Sequence, residues 1–294
     1  MAPVRNAGGV DNRGRGKVEL ASDVLPGPGR EETGMEHISF TQLNMLLRCG
    51  EQYRRRYVQG EILPPTGSQV RGRSAHKAEE INFSQKIESN TDVPLEAVKD
   101  FFSDEWEKGK YGIVWTPEEL GEDTPKKAEA KYKDQGISLV SVYHCEIAPK
   151  AAPAHVEKKF TVEFEGGYPS LMGIIDRVDR DDSVSDAKFV SKSPGEGDAK
   201  KDTQLVAYQL GFQSLFGRPP RKLRKEYAIS TKTPKTAVQE IEPHDRERMN
   251  RFLRTLERAM EAIAKGVFLP AALGSWSCSA RFCGFWNSCN VKQG

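Results

Sequence analysis

The chain has 294 residues, 29% of them charged and 37% hydrophobic, enough to bury a core as one large domain or two small ones. No apolar run reaches the roughly 18 residues a membrane-spanning helix needs, and the start lacks an apolar signal segment; an intracellular, cytoplasmic protein with no membrane partner is expected. The 44 basic and 42 acidic residues nearly cancel to a net +2, so any cationic surface must be sought locally.

Residues 1–35 mix Gly, Pro, Arg and acidic residues without apolar periodicity and are expected to form a disordered arm. That leaves 36–294 as a single folded domain. Ser39-Phe40-Thr41-Gln42 has the form of a capping box, and Leu43, Leu46, Leu47, Tyr53 and Tyr57 continue a helix from it. Residues 60–72, with Pro64-Pro65, read as a connection. Residues 73–88 form a second helix carrying His76, Glu79 and Glu80. Residues 94–108 form a third, with Val98, Phe101, Phe102 and Trp106 on one side. The stretch 123–150 reads as helical only in part.

The pattern then changes from helical to alternating. Residues 155–165, 171–178 and 184–190 read as strands, the last two joined by the turn Asp179-Arg180-Asp181-Asp182. Residues 202–216 form an amphipathic helix closed by Gly217. Two more strands, 226–230 and 237–241, precede a long charged helix at 245–266. The fold class is α/β, a mixed sheet with flanking helices: a helical part at 36–150, a central core at 151–242, and a closing helix with a cysteine cluster at 243–294.

The hairpin carries the chemistry. Gly173-Ile174-Ile175-Asp176 ends one strand, and Asp186-Ala187-Lys188 lies on the next. Residues two apart on a strand share a face, so Asp186 and Lys188 project together and pairing brings Asp176 beside them. Two carboxylates on one patch repel unless a cation lies between them. Hard oxygen ligands suit Mg²⁺ or Mn²⁺, and a nearby ammonium can stabilise charge on a phosphoryl group.

The order Glu157, G-I-I-D, D-x-K and then Gln204-x-x-x-Tyr208 resembles the catalytic core of the RecB-like PD-(D/E)XK nucleases. The resemblance implies a restriction-endonuclease-like core in which Asp176 and Asp186 bind Mg²⁺ or Mn²⁺ and Lys188 assists the attacking water. It gives Gln204 and Tyr208 a supporting role, and it implies that the Ala187 carbonyl also reaches the metal. Gly72-Arg73-Ser74-Ala75-His76 is similar to the helix motif whose histidine completes the metal shell, which assigns His76 as a ligand.

Five cysteines without a signal segment argue against a disulfide framework, and Cys278, Cys283 and Cys289 crowd the last seventeen residues. With Cys49 they could hold a tetrahedral zinc or a 4Fe–4S cluster, and spacing does not choose between these. The arrangement is similar to the iron–sulfur branch of the RecB-like nucleases, the AddB-type and CRISPR-associated exonucleases, some of them plausible as phage-encoded. That branch takes one cysteine from before the core and three from after it, which implies a structural 4Fe–4S cluster. The spacing departs from the family's at Cys278, since four residues rather than two separate it from Cys283. Cys145 is a further thiol that could substitute.

The resemblance spans residues 38–289 and implies a metal-dependent deoxyribonuclease, an exonuclease or a flap-type endonuclease. Basic runs at Arg54, Arg55 and Arg56 and at Arg221 and Lys222 are expected to hold the DNA backbone. The chain has no G-x-x-x-x-G-K-[ST] motif, so any unwinding falls to a partner such as a helicase or another recombination or replication protein. The alternative is a non-catalytic nucleic-acid-binding module stapled by zinc or an iron–sulfur cluster.

Overall fold

The computed structural model describes residues 17–18, 34–164 and 168–293. The expected arm at 1–35 lies outside the described residues except at Lys17, Val18, Gly34 and Met35, and Lys17–Val18 is a short strand, β1. A second strand, β2 (His37–Ser39), leads directly into α1 (Phe40–Arg48). Ser39 Oγ accepts from the Gln42 N–H at 3.2 Å while Gln42 Oε1 accepts from the Ser39 N–H at 2.7 Å, the expected capping box.

The helix predicted to continue to Tyr57 is broken. Cys49 adopts an extended backbone and separates α1 from α2 (Gly50–Tyr53) and a π-helical turn at Arg54–Val58. The break admits the C-terminal segment. Gly50 donates its N–H to Leu269 O at 2.7 Å, and a Cβ there would lie 2.7 Å from the backbone of Phe268 and Leu269. Only glycine permits that approach.

The next helix, α3 (Gly67–Ser89), begins earlier than predicted, because Thr66 and Gln69 form a second capping box inside the stretch read as a connection. It packs with α4 (Leu95–Gly109), the short α5 (Pro117–Leu120) and α6 (Pro125–Glu146). The last is one continuous helix where only partial helix was expected; Thr124 caps it and Pro125 fits its first turn. Val70, Phe83, Phe102, Trp106, Leu139 and Tyr143 build the apolar layer between these helices and one face of the sheet.

The remaining strands are β3 (Pro153–Phe164), β4 (Ser170–Asp179), β5 (Val184–Val190), β6 (Leu223–Ile229) and β7 (Lys235–Ile241). Among the described residues they form one mixed sheet in the order β1-β3-β4-β5-β6-β7, with β2 on β4. Its other face is covered by α8 (Thr203–Phe216), which follows the short α7 (Asp198–Lys201), and by α9 (Arg246–Ala264). Phe160, Ile175, Leu205, Phe212 and Leu256 belong to that second core. The fold is the expected mixed sheet between helical layers. No helix among the described residues is long and apolar enough to cross a membrane.

Two local features shape the middle of the sheet. β4 and β5 are antiparallel but pair only at Arg177↔Ser185 and Val178↔Val184. Beyond that point β5 stays with β6 and β4 with β3, and β2 takes β4 at Ser170–Met172. The sheet is therefore opened between Asp176 and Ala187. The second feature is Phe160, whose ring fills the space above Gly173 and Gly211; a Cβ at either position would stand 2.5 or 2.4 Å from it. Its ring also meets Tyr208 edge-on at 6.4 Å, which fixes that side chain from below.

Candidate active site

Asp176 stands where the β4–β5 ladder stops, and its carboxylate takes the place of the missing strand partner. Its Oδ2 accepts from the Ala187 N–H at 3.0 Å and its Oδ1 from the Tyr208 hydroxyl at 3.1 Å. Tyr208 in turn accepts from Gln204 Nε2 at 3.0 Å. Lys188 Nζ closes the chain, donating to Gln204 Oε1 at 3.2 Å and to Asp186 Oδ1 at 2.9 Å. His76 Nδ1 lies 3.6 Å from Asp176 Oδ2, and the ring packs edge-on against Phe189. The six side chains singled out by motif are thus brought into one connected group. The Asp202 side chain caps the helix that carries Gln204 and Tyr208, accepting from the Gln204 N–H at 2.7 Å.

The electrostatics of this group are unbalanced. Asp186 is fully buried, and its Oδ2 has no hydrogen-bond partner. Burial pushes its carboxyl up to about 6, Asp176 adding to the rise while Lys188 and Lys225 oppose it. Glu157 falls between the pairs Val156↔Arg177 and Lys158↔Ile175, hence opposite Asp176. Its backbone is in the left-handed region at φ 45°, a strained conformation for a side chain of this kind. Burial, then Asp176 and Glu80, push Glu157 up to about 7. A cavity of about 20 Å³, room for one water-sized species, is bounded by His76, Glu79, Glu80, Glu157 and Asp176. Glu79 is buried with neither oxygen hydrogen-bonded, and burial raises its carboxyl well above the usual range. Burial of the ring lowers His76, favouring the neutral form that can donate a lone pair.

Two functional side chains were not apparent from the motifs. Lys225, which no motif singles out, is paired in register with Asp186. It is buried, bound to Asp202, and 3.6 Å from Asp186 Oδ2. Arg177, beside Asp176 in sequence, faces the other way. Its guanidinium holds Glu226 at 2.6 Å and Asp179 at 2.9 Å, and it donates to Ser185 Oγ at 3.1 Å and the Tyr143 hydroxyl at 3.2 Å. Neither could be found from local spacing, because strand register makes both contacts.

The donor chemistry here, carboxylates with one imidazole, fits a hard divalent cation, and Asp186 Oδ2, which accepts no hydrogen bond and has only the Lys225 ammonium 3.6 Å away, keeps a lone pair for it. Among the described residues no three His, Cys, Asp or Glu side chains stand in ready ligating geometry, so the carboxylates are held by the hydrogen bonds above.

Cys49, Cys278, Cys283 and Cys289 line one cavity between α2 and the C-terminal segment. Gln52 Nε2 lies 3.2 Å from Cys283 Sγ, and burial raises the Cys283 thiol despite that contact. Cys145 is exposed on α6 and is not among the residues lining this cavity. The predicted DNA-binding cations are largely engaged within the protein. Arg54 is bidentate to Glu51 at 2.7 Å. Arg55 is buried, bound to Glu61 at 2.6 Å and Ser288 at 2.8 Å, with its guanidinium 4.7 Å from the Phe285 ring. Arg56 reaches Glu61 O at 3.4 Å, Arg221 lies 3.6 Å from Asp181, and Lys222 is bound to Glu242. Arg55 is therefore a structural clamp on the cysteine segment rather than a surface cation.

An opened antiparallel pair bearing D and D-x-K, backed by a Q-x-x-x-Y helix, defines a class. The model of the PD-(D/E)XK nuclease superfamily matches residues 37–290, and the chain belongs to that superfamily. Its members generally use divalent metals such as Mg²⁺. Among solved structures, the crystal structure of a candidate exonuclease from Eubacterium rectale is similar in fold, with a TM-score of 0.53 and 13% identity, over 90% of this chain and 92% of that one. A second, of a protein named SSO0001, covers 90% of this chain and 95% of that one with 15% identity, and its TM-score of 0.41 adds nothing to the argument. No curated protein sequence matches the chain.

Proposed function

We propose that the chain is a divalent-metal-dependent DNA exonuclease, with a flap-type endonuclease as the nearest variant of the same chemistry, and that residues 36–294 act as one nuclease domain. The observation that carries this reading is the connected chain Asp176–Tyr208–Gln204–Lys188–Asp186 across the opened strands. Asp176, Asp186, the Ala187 carbonyl and His76 would hold Mg²⁺ or Mn²⁺. When bound, that cation would offset charge on the scissile phosphate and lower the pKa of water.

The chain's own residues do the rest. An ammonium has three donors, and Lys188 spends two on Asp186 and Gln204. The third is left to hold the attacking water or a phosphoryl oxygen. Gln204 and Tyr208 keep Lys188 and Asp176 at fixed positions. Hydrolysis with departure of the 3′-oxygen leaves a 5′-phosphate. Arg221, which is exposed, and Arg56, whose hydrogen bond goes to a backbone carbonyl rather than a carboxylate, would contact phosphates at the rim. A duplex substrate would need a separate helicase to open it.

We also propose that Cys49, Cys278, Cys283 and Cys289 hold a 4Fe–4S cluster, or failing that zinc. Support comes from four thiols around one cavity. The group would tie α1 and α2 to the last segment across more than two hundred residues of chain, a structural staple. An absorbance scan of anaerobically purified protein tests it; a colourless, zinc-free protein contradicts it.

The nuclease reading is tested with 5′- and 3′-labelled DNA in Mn²⁺. Progressive shortening that vanishes in Lys188→Ala and Asp186→Ala is expected. DNA that is retarded on a gel but never cut with either metal would overturn it and leave a binding module.

A further inference from the structure

With Arg54, Arg55 and Lys222 committed to carboxylates, the predicted runs leave only Arg56 and Arg221 for phosphates, too few to hold a length of strand. A groove of about 1240 Å³ runs between α1, α9 and the segment after α9. Five arginines, Arg48, Arg246, Arg251, Arg254 and Arg258, line it against one glutamate, Glu247. Arg246, Arg251 and Arg254 are exposed and have no carboxylate or hydrogen-bond partner among the described residues. Among the described residues the Arg48 side chain hydrogen-bonds only to the neutral Gln52, while Arg258 pairs with Glu261 on its own helix and also feels Glu257.

These cations are ordered along one line. Arg251, Arg254 and Arg258 follow the i, i+3, i+7 spacing of a single helix face. From Arg246 to Arg258 the helix rises about 18 Å, the length of about five stacked nucleotides at ~3.4 Å each. The floor is apolar and open: Leu47 is 59% exposed, Val267 45% and Leu269 73%. The stripe starts beside the site. Gln209, the residue after Tyr208, donates to His244 O at 3.0 Å and accepts from the His244 N–H at 2.7 Å, two residues before α9 begins at Arg246.

We infer that this groove is the track for an unpaired DNA strand leading to the site, an inference that rests on the nuclease reading above. The choice follows from matching both features of the groove. A duplex offers phosphates but keeps its base faces stacked inside, so it would leave the apolar floor uncovered. A single strand offers an anionic edge to the arginines and sugar and base faces to Leu47, Val267 and Leu269. An acidic polypeptide is the competing occupant, and the test separates it.

The test is fluorescence anisotropy with labelled oligothymidylate, its duplex with oligoadenylate, and labelled poly-L-glutamate, without added divalent metal so that nothing is cut. The proteins are wild type, Arg251→Ala/Arg254→Ala and the corresponding double Lys variant. Expected are tighter binding of the single strand than of the duplex and about tenfold weaker single-strand binding in the double Ala variant. The slope of log K against log salt should be reduced by about 1.4 for the two lost contacts. The double Lys variant restores binding. Unchanged single-strand binding in the double Ala variant would overturn the inference, as would arginine-dependent binding confined to poly-L-glutamate or a preference for duplex. Wild-type binding without hydrolysis in Mn²⁺ would sink the nuclease reading and leave the groove standing; hydrolysis with binding indifferent to the arginines would do the reverse.

Discussion

Neighbouring residues on β4 and β5 point to opposite faces of the same two strands and meet opposite electrostatic fates. On the α6 side, Arg177 is surrounded by Glu226, Asp179, Ser185 and Tyr143, so its donors are engaged at short distances. Burial works against the Glu226 carboxylate, yet Arg177 and Tyr143 hold it below the usual range. On the α8 side, one residue away in each strand, Asp176 and Asp186 sit close with only partial compensation, and an oxygen of Asp186 is unpartnered. The first face spends its charges on holding three strands in register. The second keeps charge unspent where a cation and a phosphate would use it. Stability and chemistry are thereby separated by the alternation of a β-strand.

The comparison is broken most forcefully from the stabilising side. Arg177→Ala leaves Glu226 and Asp179 buried without their cation, and loss of about 3–5 kcal/mol is expected in urea denaturation. A loss under 1 kcal/mol would show that the network is not what holds the strands. On the other face the signs reverse. Asp186→Asn is expected to cost about 10²- to 10³-fold in DNA hydrolysis. The metal-free melting temperature should stay level or rise, because a poorly compensated buried charge has been removed. A drop in melting temperature would mean that Asp186 is structural.

Smaller effects sharpen the picture. Gln204→Ala removes the bridge between Lys188 and Tyr208 without touching a carboxylate, and about a tenfold loss of rate with unchanged stability is expected. Retention of full rate would show that Lys188 is positioned by Asp186 alone. The smallest effect is on pH dependence. Asp186 is raised from 3.8 to about 6 and Glu157 from 4.5 to about 7, so between roughly pH 4 and 7 these two carboxyls hold more protons in the folded protein than in the unfolded chain, while His76, His144, His155 and His244, lowered by burial, act in the opposite sense. The contribution of these carboxyls, read as metal-free wild-type stability minus that of Asp186→Asn/Glu157→Gln, should therefore fall as pH rises through that window and level off above it. Melting curves of both proteins at a series of pH values check this, and a difference that climbs across the window contradicts it.

Much of the second face was legible from sequence, since G-I-I-D, D-x-K and Q-x-x-x-Y are each local and strand alternation assigns their direction. The first face was not. Arg177 meets Glu226 across 49 residues, and Lys225 meets Asp186 across a parallel pairing that no spacing rule reveals. The basic run at Arg54–Arg56 misled for a related reason: its carboxylates, Glu51 and Glu61, lie within a turn or loop of it, and a helix broken at Cys49 turns Arg55 inward. Residues 245–266 read only as a long charged helix, with no role for its arginines. What distinguishes Arg246, Arg251 and Arg254 is that their side chains have no partner among the described residues, which only the fold reveals.

The central claim is that Asp176 and Asp186 form a cation site while Arg177 closes its own face. Calorimetric titration of Mn²⁺ into the wild type, Asp176→Asn/Asp186→Asn and Arg177→Lys tests it most directly. Binding by the wild type and Arg177→Lys, abolished in the double Asn variant, is the expected result. Equal Mn²⁺ affinity in the double Asn variant would contradict the account.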